Sequence, residues 1–283
     1  NSFGSDELKA AVLPHLASGE AIGGFGLTEP GSGSDAASLR TRAERDGDSW
    51  VLNGEKAWIT NAGVGRYFVV MARSGPEEGH RGISAFVVPA DAPGFSVGVP
   101  EEKLGLRASM TAPLILENCV VPAGNLLGEV GGGFGIALAT LDQSRLGIAA
   151  QSVGIHQRAL ELSREYALER EQFGVPLARH QEIQFKIARI ATDLAAARAL
   201  THYAAALEPQ RRGGLLAAEA KLLASEAANR ACYEAVQIYG GTGFCEDYEV
   251  ARLYRDVRVT TIYEGTSEMQ RLVISRHLLR GQE

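Results

Sequence analysis

The sequence predicts an α+β chain in which an antiparallel β-barrel or sandwich domain is followed by an antiparallel helical bundle. Three observations carry this. From about residue 22 to 122 short β-rich runs alternate with turns. After "VGGGFGIAL" apolar residues recur at three- and four-residue spacing, and the helices so marked are long with short connections. The expected domains are 1–21, the tail of an N-terminal helical domain; 22–122, the β-domain; and 123–283, the helical bundle.

The elements follow in order. The opening "NSFGSDELKA" leads into a short amphipathic stretch, "DELKAAVLPHLASGE". The runs "SWVLNGEKAWIT", "YFVVMARS", "GISAFVVPA" and "PLILENCVV" read as strands. Asp46-Gly47 and Asn53-Gly54 read as tight-turn dipeptides, because glycine takes the positive φ that hairpin turns demand. Residues 134–168, 181–207 and 213–239 read as helices rich in Ala, Leu, Glu and Arg, with Ile183, Phe185, Ile187, Ile190 and Leu194 marking one stripe. The break at "LEPQRRGG" separates the last two.

Composition narrows the function classes. Of 283 residues, 45% are hydrophobic and 22% charged, ordinary for a globular enzyme. A net charge of -6, from 28 Lys+Arg against 34 Asp+Glu, offers no basic field for nucleic acid. No apolar run approaches the roughly 20 residues of a membrane helix. The three cysteines, Cys119, Cys232 and Cys245, are few and widely spaced, which points to a reducing compartment, the cytoplasm, and to no metal site. Neither glycine-rich stretch, 131–135 or 240–243, has the G-x-G-x-x-G spacing after a strand, so a Rossmann site is excluded.

Several stretches carry both a chemical and a plain reading. "GFGLTEPGSGSD" (24–35) is a small, polar, flexible loop that offers N–H groups and hydroxyls to an anion or a heteroaromatic edge, or else a solvated turn. In "WIT" (58–60), Trp58 stacks on a flat ligand while Thr60 bonds its edge, or the indole is half-buried core. Asp142 and Arg145 in "TLDQSR" share a helix face, as a surface pair or as a hold on a ligand. Arg170 and Phe173 sit at a break marked by Gly174 and Pro176. Gln237 and Gly241 sit where a helix ends in a glycine pair.

Glu264, in "IYEGTSEMQ", is the sharpest case. Ser267 and Gln270 have capping-box spacing, so a helix is expected to start near Thr266 or Ser267. A carboxylate there gains about 0.3–1 kcal/mol from the helix dipole. Service as a base instead requires desolvation, and Ile262, Tyr263 and Gly265 suit an apolar pocket. Arg271, Arg276, His277 and Arg280 form a basic helix end, there to complement the dipole or to hold a phosphate.

"LTEPGSGSD", "NGEKAWITNAG", "ALEREQFG", "VQIYGGTGF" and "IYEGTSEMQRLVISRHLL" occur in the order and spacing of the acyl-CoA dehydrogenase family, and the resemblance covers nearly the whole chain. It implies a middle β-barrel domain, a C-terminal four-helix bundle, FAD, and a homotetramer built as a dimer of dimers. It also implies α,β-dehydrogenation of an acyl-CoA thioester, with electrons passed to electron-transfer flavoprotein. Glu264 matches the base, and its N–H matches a donor to the thioester carbonyl. Some members place the base on the helix holding "LDQSR", where this chain has Ser144.

Phe25, Leu27, Thr28, Trp58, Ile59 and Thr60 match flavin-ring contacts, and Thr266 and Glu268 match FAD contacts near the catalytic loop. Arg170, Gln172, Phe173 and Gln181, with Gln237, Ile238, Gly240 and Gly241, resemble residues that reach FAD across a subunit interface. Ser34, Asp142, Arg145, Tyr263, Gly265 and Arg276 match CoA-ester contacts. The family also has an N-terminal helical domain, of which this sequence carries only the last-helix stretch. Three functions are weighed: the dehydrogenase; an acyl-CoA oxidase or related flavin monooxygenase of the same fold; and a non-catalytic assembly subunit. Glu264 favours the first.

Overall fold

The computed structural model describes residues 1–75, 79–207 and 214–279. These form two compact units, one of Asn1–Lys103 with Arg107–Thr140 and one of Leu104–Leu106 with Leu141–Glu283.

In the first unit, helix α1 (Asp6–Ala17) is capped by Ser5, whose Oγ accepts the Leu8 N–H at 3.2 Å. Eight strands follow: β1 (Gly23–Gly26), β2 (Arg42–Asp46), β3 (Ser49–Thr60), β4 (Tyr67–Arg73), β5 (Ile83–Pro89), β6 (Phe95–Val97), β7 (Thr111–Pro122) and β8 (Leu126–Leu127). They pair in the order β6-β7-β3-β2-β4-β5-β8, and β1 joins β4. The ladders are antiparallel except where β1 and the start of β2 run parallel to β4. Phe86 near one end of that order and Leu114 and Leu116 near the other belong to one buried cluster, so the sheet curls around a single interior. Trp50 meets Phe86 edge-on within it, ring centroids 5.2 Å apart.

One turn dipeptide behaves as expected and one does not. Asp46 pairs with Ser49 across a tight turn in which Gly47 has φ +53. Asn53-Gly54 lies in mid-strand instead. The register between β3 and β7 slips from Leu52↔Cys119 to Gly54↔Leu116, with the extra residue on β7, where Asn118 has φ +51. Gly54 is required there because a Cβ would stand 2.6 Å from Thr41 Oγ1.

The second unit takes α2 (Gly133–Glu169) from Leu141 onward. A two-strand turn, β9 (Glu171–Gln172) and β10 (Val175–Pro176), leads to α3 (Gln181–Leu207), α4 (Leu215–Tyr239), α5 (Glu249–Val257) and α6 (Ser267–Leu279). The three long helices coincide with the predicted ones. The "LEPQRRGG" break falls mainly at 208–213, which with Arg280 lies outside the described residues.

Helices α3 and α4 run antiparallel, joined by Asp193–Arg230 at 3.2 Å and by Lys186–Glu234. Ala197, Ala204, Ala220 and Ala224 are buried in one seam, where small side chains let helices approach closely. Helix α6 lies along α4 through the Glu226–Arg271 pair, so α2, α3, α4 and α6 complete a four-helix bundle. Helix α5 covers the far half of α4, where Asn229 donates to Val257 O at 3.1 Å. No helix of the described residues is long and apolar enough to cross a membrane.

Replacing Phe86 by Ala is expected to destabilise the sheet unit by about 3–5 kcal/mol in urea unfolding. Val99→Ala, at a side chain 84% exposed, should stay within about 0.5 kcal/mol.

Candidate active site

The "GFGLTEPGSGSD" segment is a tied turn rather than a flexible loop. Glu29 and Ser32 exchange backbone hydrogen bonds at 3.0 and 3.1 Å around Pro30 and Gly31, and Ser32 Oγ donates to Asp35 O at 2.7 Å. Thr28 O accepts the Ala57 N–H at 2.9 Å, fastening the segment to β3. Leu27 is buried, Phe25 and Thr28 are half-buried, and Ser34 is exposed beyond the turn.

Beneath the turn lies an ion pair that the sequence reading missed. Lys56 is wholly buried, and its Nζ donates to Glu29 Oε1 at 2.7 Å and to Leu27 O at 3.3 Å. The Glu29 carboxylate also accepts the N–H groups of Arg40 and Thr41 at 2.6 and 2.9 Å. Burial pushes Lys56 down to about 8, against the pull of Glu29. Burial alone would raise Glu29, but Lys56 and the donors around it hold it below the usual carboxylate range. The available signal was parity: Trp50, Leu52 and Lys56 alternate onto one strand face, and that face is the interior.

Trp58 is then thrown outward. The register passes from Lys56↔Leu114 to Ile59↔Ala112, which leaves an extra residue on β3. Trp58 takes φ +62 and its side chain is 61% exposed, while Ile59 is buried and Thr60 exposed. An outward indole on a left-handed bulge, beside a hydroxyl, suits a flat ring with a polar edge. The half-buried-core reading of Trp58 does not hold.

In the second unit, Glu264 is half-buried and sits in a left-handed turn with φ +53, followed by Gly265 at φ +86. Ser144 on α2 donates its hydroxyl to Glu264 Oε2. Ser144 Oγ also lies 3.1 Å from Leu141 O, a second acceptor for the same proton. The turn is held from below. Gln270 Nε2 donates to Glu264 O at 3.2 Å and to Gly265 O at 2.8 Å, and Lys221 Nζ donates to Gly265 O at 2.8 Å. Both side chains are wholly buried.

The expected capping box is therefore not formed. Thr266 caps α6, its Oγ1 accepting the Met269 N–H at 3.3 Å, while Gln270 turns back to the carbonyls of Glu264 and Gly265. Gly265 admits that contact because a Cβ would stand 2.7 Å from Gln270 Nε2.

The neighbouring candidates assemble around this turn. Tyr263 donates its hydroxyl to Gln151 on α2, and burial raises its phenol above the usual value. Arg145 pairs with Asp142 at 2.6 Å. Arg145 is buried and its Nε has no partner, so the pair is not the surface pair that spacing alone allows. Burial pushes the Asp142 carboxyl up, against Arg145 and His277. Glu268 and Arg276 are exposed on α6.

The remaining candidates gather at the other end of the bundle. Arg170, Gln172 and Phe173 lie on the exposed turn after α2, with Phe173 at φ +55, and Gln181 starts α3. Gln237, Gly240 and Gly241 are exposed where α4 ends, and Ile238 is buried there. Tyr166 stacks on Tyr239 with centroids 3.9 Å apart, which brings the two sets together. Along α2, Tyr166 is twenty-two residues beyond Ser144, roughly 33 Å of helix.

Residues 24–119 match the middle domain of acyl-CoA dehydrogenase, and residues 131–279 match its C-terminal domain. An acyl-CoA dehydrogenase from Bacillus subtilis is 51% identical over 282 residues, covering 99% of this chain and 74% of its own length. The human mitochondrial short-chain specific acyl-CoA dehydrogenase is 51% identical over 280 residues, covering 99% and 68%. The structure of butyryl-CoA dehydrogenase from Megasphaera elsdenii superposes with TM-score 0.96 at 43% identity, covering 99% of this chain and 73% of that one. The family match and these relatives mark the chain as an oxidoreductase. The chain belongs to the acyl-CoA dehydrogenase family.

Glu29→Gln leaves the Lys56 ammonium buried without its counter-charge and is expected to cost about 3–5 kcal/mol in urea unfolding near neutral pH. Adding Lys56→Met to that variant should restore most of the loss. A double variant no more stable than the single one would contradict the pairing.

Proposed function

We propose that this chain oxidises a short-chain acyl-CoA to the trans-2-enoyl-CoA with FAD as its cofactor and electron-transfer flavoprotein as the acceptor. The observation that carries the reading is Glu264: a half-buried carboxylate in a left-handed turn, bonded through one oxygen by Ser144 and held through its own carbonyl by Gln270. The names of the human and Megasphaera relatives support a short acyl chain.

The residues present fit the cofactor. The outward Trp58, Thr60 and the tied turn at Thr28 suit a flavin ring, while the unpartnered Nε of buried Arg145 suits an anionic or carbonyl-rich substrate. Bound FAD would supply the hydride acceptor. Glu264 takes the α-proton of the thioester while the Glu264 N–H donates to the thioester oxygen, where negative charge builds. The α C–H pair becomes the new double bond as the β-hydrogen leaves with its own pair. The Ser144 hydroxyl steadies the ionised carboxylate, and Leu141 O can take its proton once Glu264 is protonated.

Sharing of the flavin between two chains, as in the homotetramer the resemblance implies, is supported by the layout within one chain. The Arg170–Phe173 turn lies at the opposite end of the bundle from Glu264, so a flavin touched by both sets draws on two chains. Phe173 and Phe244, 95% and 87% exposed, offer apolar surface for such a partner. The cytoplasm is the proposed location, supported by three free thiols.

Butyryl-CoA added anaerobically to the FAD-loaded protein should bleach the flavin absorbance, and Glu264→Gln should slow that step by about 10²–10⁴-fold. Bleaching at the wild-type rate by Glu264→Gln would overturn the assignment, and turnover in air without flavoprotein would mark an oxidase. Dilution to dissociate the oligomer should release FAD, followed together by sedimentation and flavin fluorescence. Retention by a monomer would refute the shared site.

A further inference from the structure

Lys221 is the buried charged group near Glu264 that the mechanism above leaves unused. It stands on α4 in an alanine-rich seam, wholly buried, with its ammonium donating to Gly265 O at 2.8 Å. Gln270 donates to the same oxygen and to Glu264 O, so two side chains from two helices grip two successive carbonyls. Such a grip fixes the left-handed Glu264–Gly265 pair, a conformation a glutamate does not hold for nothing. The ammonium and the Glu264 carboxylate also attract each other.

We infer that Lys221 is a positioning residue for the reaction, aiming Glu264 through Gly265 O. This rests on the dehydrogenation reading above. Gln270 shares that task from α6. The charged groups facing Lys221 are Arg145 from α2, Glu226 from α4 itself, and Glu264 and Glu268 from the start of α6 and the turn before it. The three carboxylates outnumber the guanidinium, which favours an ammonium. Burial is the larger influence and brings Lys221 down to about 8, so the wild-type charge is lost in the mildly alkaline range.

The test compares Lys221→Met with Gln270→Leu in the FAD-loaded protein, with folding checked by circular dichroism and flavin content. Freed of its hold, the turn should shift enough to lower kcat/KM for butyryl-CoA by about 10²-fold at neutral pH in either variant. In Lys221→Met the loss should fall on kcat, with KM within about threefold of wild type. Lys221→Gln, which keeps an N–H donor, replaces the methionine variant if that one does not fold, and a kcat loss smaller than that of Gln270→Leu is then expected. A Lys221→Met loss confined to KM, with kcat unchanged, would reduce Lys221 to a packing role and overturn the inference. So would an unchanged rate in Lys221→Met alongside an inactive Glu264→Gln. An active Glu264→Gln would instead sink the reading on which this one rests.

Discussion

A buried lysine ammonium donating to a backbone carbonyl is the constraint on which the candidate site residues of each unit are built. In the sheet unit Lys56 holds Leu27 O, and in the helical unit Lys221 holds Gly265 O. Leaving water costs each ammonium several kcal/mol, and the cost is offset only where charge and hydrogen bonds are both supplied inside. Glu29 supplies them directly for Lys56. Around Lys221 the supply is spread over a carbonyl and more distant carboxylates. In both places the anchored backbone belongs to a turn that carries a proposed site residue: Thr28 in one, Glu264 in the other.

Strain and anchoring go together in this chain. Trp58 and Glu264 both have positive φ, which non-glycine residues adopt only when their surroundings over-determine them. Trp58 is compelled by an extra residue in β3 flanked by buried Lys56 and Ile59. Glu264 is compelled by Gln270 and Lys221 beneath it. The result is a rigid placement of an indole and a carboxylate that their own preferences would not give, which is what pre-organised catalysis requires.

Much of the fold was legible in the sequence because its signals are local. Three- and four-residue periodicity marked α2, α3 and α4, and Asp46-Gly47 marked a hairpin. Asn53-Gly54 misled, since the same glycine freedom that serves a turn also serves a strand crowded by Thr41. The candidate site was legible where five ordered blocks carried the family resemblance, with Glu264 among them. Lys56, Lys221 and Ser144 were not legible as its supports. Their partners lie 29, 44 and 120 residues away in sequence. A lysine in "AEAKLL" reads as a solvated helix residue until the fold buries it. Gln270 was visible, but its spacing suggested a cap on its own helix, whereas tertiary packing gave it two carbonyls of the preceding turn.

The most direct test of the central claim is a crystal structure of the FAD-bound oligomer with an acyl-CoA analogue that cannot be oxidised. The account requires a Glu264 carboxylate oxygen about 3–3.5 Å from the α-carbon of the acyl group, with the turn still gripped by Lys221 and Gln270. A carboxylate turned to bulk water, with the α-carbon out of its reach, would contradict it.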